Sequence, residues 1–155
     1  MYDLKRCNGT FKGLIGECLF KITRDKAILV RFFSSNKFAT IFNKVLEKAQ
    51  VDFLLENWYS LDAIEYMGDQ KKFILYEIKT RNHYRKELGF KPKMTKSTRD
   101  LYSQARQLGF VVKCATVWLY ENWEFNAQIE EYDEKMFYID KEKQYDRLAT
   151  FSGKK

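Results

Sequence analysis

Tyr59-Ser60-Leu61-Asp62-Ala63-Ile64-Glu65-Tyr66-Met67, followed after a turn by Phe73-Ile74-Leu75-Tyr76-Glu77-Ile78-Lys79-Thr80, is the stretch on which the reading of this chain depends. Both runs, 59–67 and 73–80, are rich in aromatic and branched apolar residues. Gly68-Asp69-Gln70 between them has turn composition, so the pair reads as a β-hairpin. With the tip between Asp69 and Gln70, Asp62 stands opposite Glu77 and Ser60 opposite Lys79. Side chains two apart share a strand face, so Asp62, Glu77 and Lys79 project to one side. Opposed Cβ atoms lie about 5 Å apart, and two carboxylates at that separation repel by about 3 kcal/mol at an effective dielectric of about 20. A nearby divalent cation would turn that repulsion into binding. Two acids and a lysine on one sheet face outline metal-dependent hydrolysis. The neighbours on that face (Ile64, Phe73, Leu75) are apolar, which argues against a solvated ion pair of little consequence.

The other face of the hairpin (Leu61, Ala63, Ile74, Ile78) is apolar as well, and a sheet apolar on both faces needs helices on both. Those helices are legible on either side. Leu14, Ile15, Cys18, Leu19 and Ile22 recur at helical spacing over 13–23, and Ile41, Phe42, Val45 and Leu46 do so over 36–50. Ser97-Thr98-Arg99-Asp100 is a near capping box, followed by Leu101, Ala105 and Leu108 on one face and a stop at Gly109. Strands are expected at 27–33, 110–120 and 123–132. The expected fold is α/β, with a mixed central β-sheet flanked by helices on both faces. One domain spans 1–155, with a charged C-terminal extension over 133–155, and Trp58, Trp118 and Trp123 are expected in the core.

At 155 residues, with 45% hydrophobic residues spread throughout, the chain can bury one proper core. A formal charge of +7 favours a polyanionic partner, nucleic acid ahead of a membrane. Cys7, Cys18 and Cys114 are far apart and lack Cys-x-x-Cys spacing, so they read as reduced thiols in an intracellular protein. No signal pattern or membrane-length apolar run is evident. Abundant Lys, Asn, Tyr, Phe and Ile suggest a low-GC genome, such as that of a virus or phage. Residues 81–96 carry Arg81, Arg85, Lys86, Lys91, Lys93 and Lys96 against Glu87 alone, with Tyr84 and Phe90 interleaved. This reads as a DNA-contacting loop tethered beside Lys79, with the aromatics available to stack on bases. His83 reads as a loop residue rather than a general base.

Asp62, fourteen intervening residues, and Glu77-Ile78-Lys79 on the second strand of a hairpin resemble the PD-(D/E)XK nuclease superfamily, and within it the archaeal-type Holliday junction resolvases. Those open with a helix bearing Lys-Gly-x-x-x-Glu, and Lys12-Gly13-Leu14-Ile15-Gly16-Glu17 stands in the same place here. The likeness runs from about residue 12 to 130. Leu61 replaces the proline that names the motif, the span from Glu17 to Asp62 is longer than in compact resolvases, and Gln104 is followed by Leu108 rather than the tyrosine of helicase-linked relatives. The resemblance implies a restriction-endonuclease-like core. It implies that Asp62, Glu77 and the main-chain carbonyl of Ile78 hold Mg²⁺ (Mn²⁺ substituting), completed or oriented by Glu17. It also implies that Lys79 positions or activates the attacking water, and that Lys12 and Gln104 contact phosphate.

Three functions are thus expected in order: a structure-selective endonuclease resolving branched DNA as a homodimer, a restriction- or repair-type nuclease on linear, nicked or single-stranded DNA, and a basic nucleic-acid-binding protein without catalysis.

Overall fold

The computed structural model describes residues 9–84, 89 and 91–140. Helix α1 (Gly9–Thr23) leads to a two-residue strand β1 (Ile28–Leu29), then helices α2 (Ser35–Ile41) and α3 (Lys48–Asn57). The hairpin follows as β2 (Ala63–Met67) and β3 (Lys72–Asn82). After it come β4 (Lys93–Thr95), α4 (Lys96–Gln107), β5 (Val111–Leu119), β6 (Phe125–Glu131) and β7 (Tyr138–Asp140). Five strands form one sheet in the order β1-β2-β3-β5-β6. The β3–β5 pair is parallel and the others antiparallel. The parallel pair requires a crossover, and α4 lies within it. The fold is α/β, a mixed sheet flanked by helices. No helix among the described residues is long and apolar enough to cross a membrane.

The hairpin register is the expected one. Ala63 pairs with Tyr76 and Met67 with Lys72, closing on a four-residue turn at 68–71. Alternation along β3 then sorts its side chains into two cores. Phe73 and Leu75 join Ile64, Val112 and Cys114 beneath α2, α3 and α4, which contribute Phe38, Phe53, Leu54, Tyr102 and Ala105. Ile74, Tyr76 and Ile78 join Ala63, Ala115 and Val117 beneath Phe20 of α1. Leu61, expected with the second group, belongs to the first, because strand alternation has not yet begun where it lies.

Several expected boundaries move. The helix over 36–50 is two helices, since Glu47 and Gln50 form a reciprocal capping box that restarts the chain as α3. Residues 58–60 are a 3-10 turn rather than strand, anchored by Trp58 Nε1–H donating to Phe33 O at 2.8 Å. Only two residues of 27–33 are strand, and Val30–Phe32 turn away as 3-10 helix. Thr95, two residues before the expected box, caps α4 by accepting from Thr98 N–H at 3.3 Å. Gly109 does end that helix region, at φ +93°. Trp58 is core, but Trp118 is half-buried and Trp123 exposed, at a hairpin turn with φ +65°. Residues 81–96 are not one loop: Arg81 and Asn82 extend β3, while β4 pairs with β7 in a small second sheet that also takes in part of the expected C-terminal extension.

Candidate functional site

Strand β3 outlasts β2. Its residues 72–76 pair with β2, whereas 77–82 continue beside β5 with no β2 partner on the other flank. A backbone polar group at such a departure needs a substitute partner. Asp62 supplies it: Ile78 N–H donates to Asp62 Oδ2 at 2.8 Å. The Asp62 backbone is held in turn by Val30 N–H, which donates to its carbonyl at 3.0 Å. Because N–H and C=O of one strand residue face the same neighbour, the Ile78 carbonyl turns to the same gap.

Glu77, opposite Asp62, is 6% exposed. Its two oxygens have different partners: Oε1 lies 3.2 Å from Lys79 Nζ, and Oε2 accepts from the Tyr102 hydroxyl of α4. Glu17 enters from α1, and its Oε2 accepts from Arg31 Nη2 at 2.6 Å. The helix comes this close because residue 16 is glycine. A Cβ there would fall 1.7 Å from Oγ1 of Thr80, the residue that follows Lys79 on β3. Gly16 therefore sets the approach of α1, and with it the position of Glu17.

The electrostatics show that the three acids converge. Burial, then the charge of Glu77, holds the Asp62 carboxyl well above the usual range; Glu17 adds to this, while Ile78 N–H and Lys79 oppose it. Burial raises Glu17, the Arg31 contact opposes, and Glu77 raises it further. Cys114, the β5 partner of Glu77, has its thiol pushed up to about 12 by burial and by that same carboxylate. Among the described residues, Arg31 pairs with Glu17 and Lys79 with Glu77, while Asp62 makes no ion pair, so these three carboxylates meet two paired cations.

Among the described residues, no three His, Cys, Asp or Glu side chains gather as a ready-made metal cage. Glu17 is held through its Oε2 by Arg31. The remaining donors still fit Mg²⁺: they are hard oxygens, and this ion keeps several waters and needs only one or two protein carboxylates. Asp62, Glu77 and the Ile78 carbonyl would hold it.

Among the described residues, the expected DNA-binding side chains lie on several elements. Lys12 is half-buried on α1, five residues from Glu17 and so off its helical face. Arg81 is half-buried on β3. Lys91, Lys93 and Lys96 are exposed along β4 and its flanks. Arg85, Lys86 and Phe90 lie outside the described residues. Gln104 is exposed and lines a cleft of about 370 Å³ with Asn57, Ser60 and Ser97. The α4 residue that reaches the acids is Tyr102, two positions earlier.

Tyr102 and Arg31 were not foreseen. Tyr102 lies three residues before Ala105, so a stripe drawn through that pair rather than through Leu101 would have found it. Arg31 sits in an apolar run and carries no local signal. His83 lies in a turn as expected, with its ring stacked on Tyr120 at 4.1 Å. No protein-family model, curated protein or solved structure matches this chain.

Proposed function

We propose that this protein is a Mg²⁺-dependent endonuclease that hydrolyses DNA phosphodiesters, of the PD-(D/E)XK type. The observation that carries the reading is the Asp62–Ile78 hydrogen bond at the point where β2 leaves β3. It brings Asp62 to Glu77 and Lys79 at the open flank of a parallel strand, and the acids there repel one another. Mg²⁺ bound by Asp62, Glu77 and the Ile78 carbonyl would supply Lewis-acid polarisation of the phosphate and a more acidic water. Lys79, held against Glu77, presents its ammonium where charge develops on the phosphoryl oxygens and orients the attacking water. The net charge of +7 draws a polyanion to the protein and sustains its contact with backbone beyond the scissile bond.

The resolvase resemblance extends the proposal to branched DNA. A four-way junction has two strands related by a two-fold axis, so an enzyme resolving it by paired nicks is a C2 homodimer with two equivalent sites. The test compares cleavage of a four-way junction with linear, nicked and single-stranded DNA, each with Mg²⁺ and with EDTA, alongside light scattering. The expected outcome is Mg²⁺-dependent cutting, strongest on the junction, by a dimer. Undiminished cutting in EDTA sinks the mechanism. A monomer that cuts junction and linear duplex equally keeps the nuclease and discards the resolvase.

A further inference from the structure

The fixed point of the site is the contact between Glu77 and Tyr102. The tyrosine is fully buried, and its ring packs 5.6 Å from that of Tyr132. Helix α4 cannot easily slide beneath it. Thr95 caps one end, the other is tied to α3 by Gln50 Nε2–H donating to Leu108 O at 3.0 Å, and Ala105 is buried one turn on. The Tyr102 hydroxyl donates to Glu77 Oε2 from inside the core, while Oε1 faces Lys79. A donor locked in this way divides the two oxygens of the carboxylate. One is committed to the core, and the other lies with Lys79 where β2 has left β3.

We propose that Tyr102 is a positioning residue that restricts Glu77 to one-oxygen coordination and thereby sets the site's preference for small octahedral cations over Ca²⁺. This inference rests on the nuclease reading. The physical reason lies in the ions. Mg²⁺ and Mn²⁺ favour six-coordinate geometry and accept a single carboxylate oxygen with water filling the rest, whereas Ca²⁺ takes six to eight oxygens and commonly both of a carboxylate. Freeing Oε2 would let Glu77 rotate and chelate with both oxygens, which favours the larger ion.

The test is a Mn²⁺ titration of the protein without DNA, followed by displacement with Ca²⁺, on wild type and Tyr102→Phe. Phenylalanine keeps the ring and removes only the donor. Wild type is expected to hold Mn²⁺ in preference to Ca²⁺, and Tyr102→Phe to narrow that ratio by about tenfold, the order of one charge-assisted hydrogen bond. Junction cleavage by Tyr102→Phe is expected to need more Mg²⁺, with kcat at saturating metal changed less than the metal requirement. A general loosening of packing would weaken both ions alike, so the ratio separates the two causes. An unchanged ratio in a folded variant overturns the inference and leaves the nuclease reading standing. A wild-type protein that binds no Mn²⁺ defeats the nuclease reading itself. If Tyr102→Phe does not fold, the same competition on Tyr102→Met, which fills the space with an apolar chain, decides by the same ratio.

Discussion

Two buried acids on the same hairpin have opposite surroundings. Glu65 points to the α1 side of the sheet, where Arg24 grips it with two donors at 3.2 and 3.0 Å and the Tyr76 hydroxyl donates at 2.9 Å. One carboxylate there meets one guanidinium and one phenol, and the cluster balances. At the other end of β2, Asp62, Glu77 and Glu17 share Lys79 and Arg31, and they repel one another. Burial alone therefore does not mark a site. Among the described residues, what separates the two clusters is surplus negative charge: Glu65 ties α1 to the hairpin, whereas the mutual repulsion in the other cluster costs stability that a bound cation would return.

Substitution at the surplus cluster should give the largest effect and the clearest break. Asp62→Asn and Glu77→Gln are each expected to lower cleavage by about a thousandfold, with DNA affinity kept or increased because repulsion towards phosphate is removed. Asp62→Asn should also stabilise the metal-free protein by about 1 kcal/mol, since asparagine can still accept from Ile78 N–H without the charge. The sign follows from the raised Asp62 carboxyl. The folded state holds its proton more tightly than the unfolded chain, so wild-type stability in EDTA falls as pH rises through the carboxylate range, and the advantage of asparagine appears above about pH 4. Urea midpoints against pH, beside a cleavage assay, measure both. A destabilised Asp62→Asn would mean that the cluster is balanced after all.

The balanced cluster should answer in the opposite direction in stability, and without the loss of cleavage. Glu65→Gln is expected to leave cleavage intact and to cost about 1–2 kcal/mol, discounted because Arg24 is partly solvated. Its phenol adds an alkaline signature: burial and the Glu65 bond push Tyr76 up to about 12. The unfolded chain then loses that proton first, so stability drops from about pH 10 upward, and Tyr76→Phe should lessen the drop, the remainder coming from Cys114 and Tyr132, which are likewise pushed up to about 12. Equal cleavage losses in Glu65→Gln and Asp62→Asn would erase the distinction between the two ends of β2.

The smallest effect is expected from the exposed lysines. Changing Lys91, Lys93 and Lys96 to glutamine should weaken binding to every DNA form and lower the log–log salt slope by about 0.9 for each phosphate that is no longer neutralised. An unchanged slope places β4 and its flanks away from DNA.

The hairpin was legible because two local rules agree on it. A period of two sorts its side chains, and a four-residue turn allows one register in which both apolar faces are buried. From that register the opposition of Asp62 and Glu77, and the sharing of one face with Lys79, follow without further information. The helices were legible as apolar stripes, but not their limits: the capping box at Glu47 interrupts a stripe that periodicity would carry through. Tertiary structure alone decided what each acid meets. Arg24 and Glu65 are 41 positions apart, Tyr102 and Glu77 25, and Arg31 and Glu17 14. Only close packing of α1 against Thr80 and of α4 beneath β3 brings these groups within hydrogen-bonding distance. Local spacing governs how a strand alternates and where a turn closes. Whether a buried carboxylate is neutralised or left in surplus depends on which distant cation or hydroxyl the packed helices deliver to it.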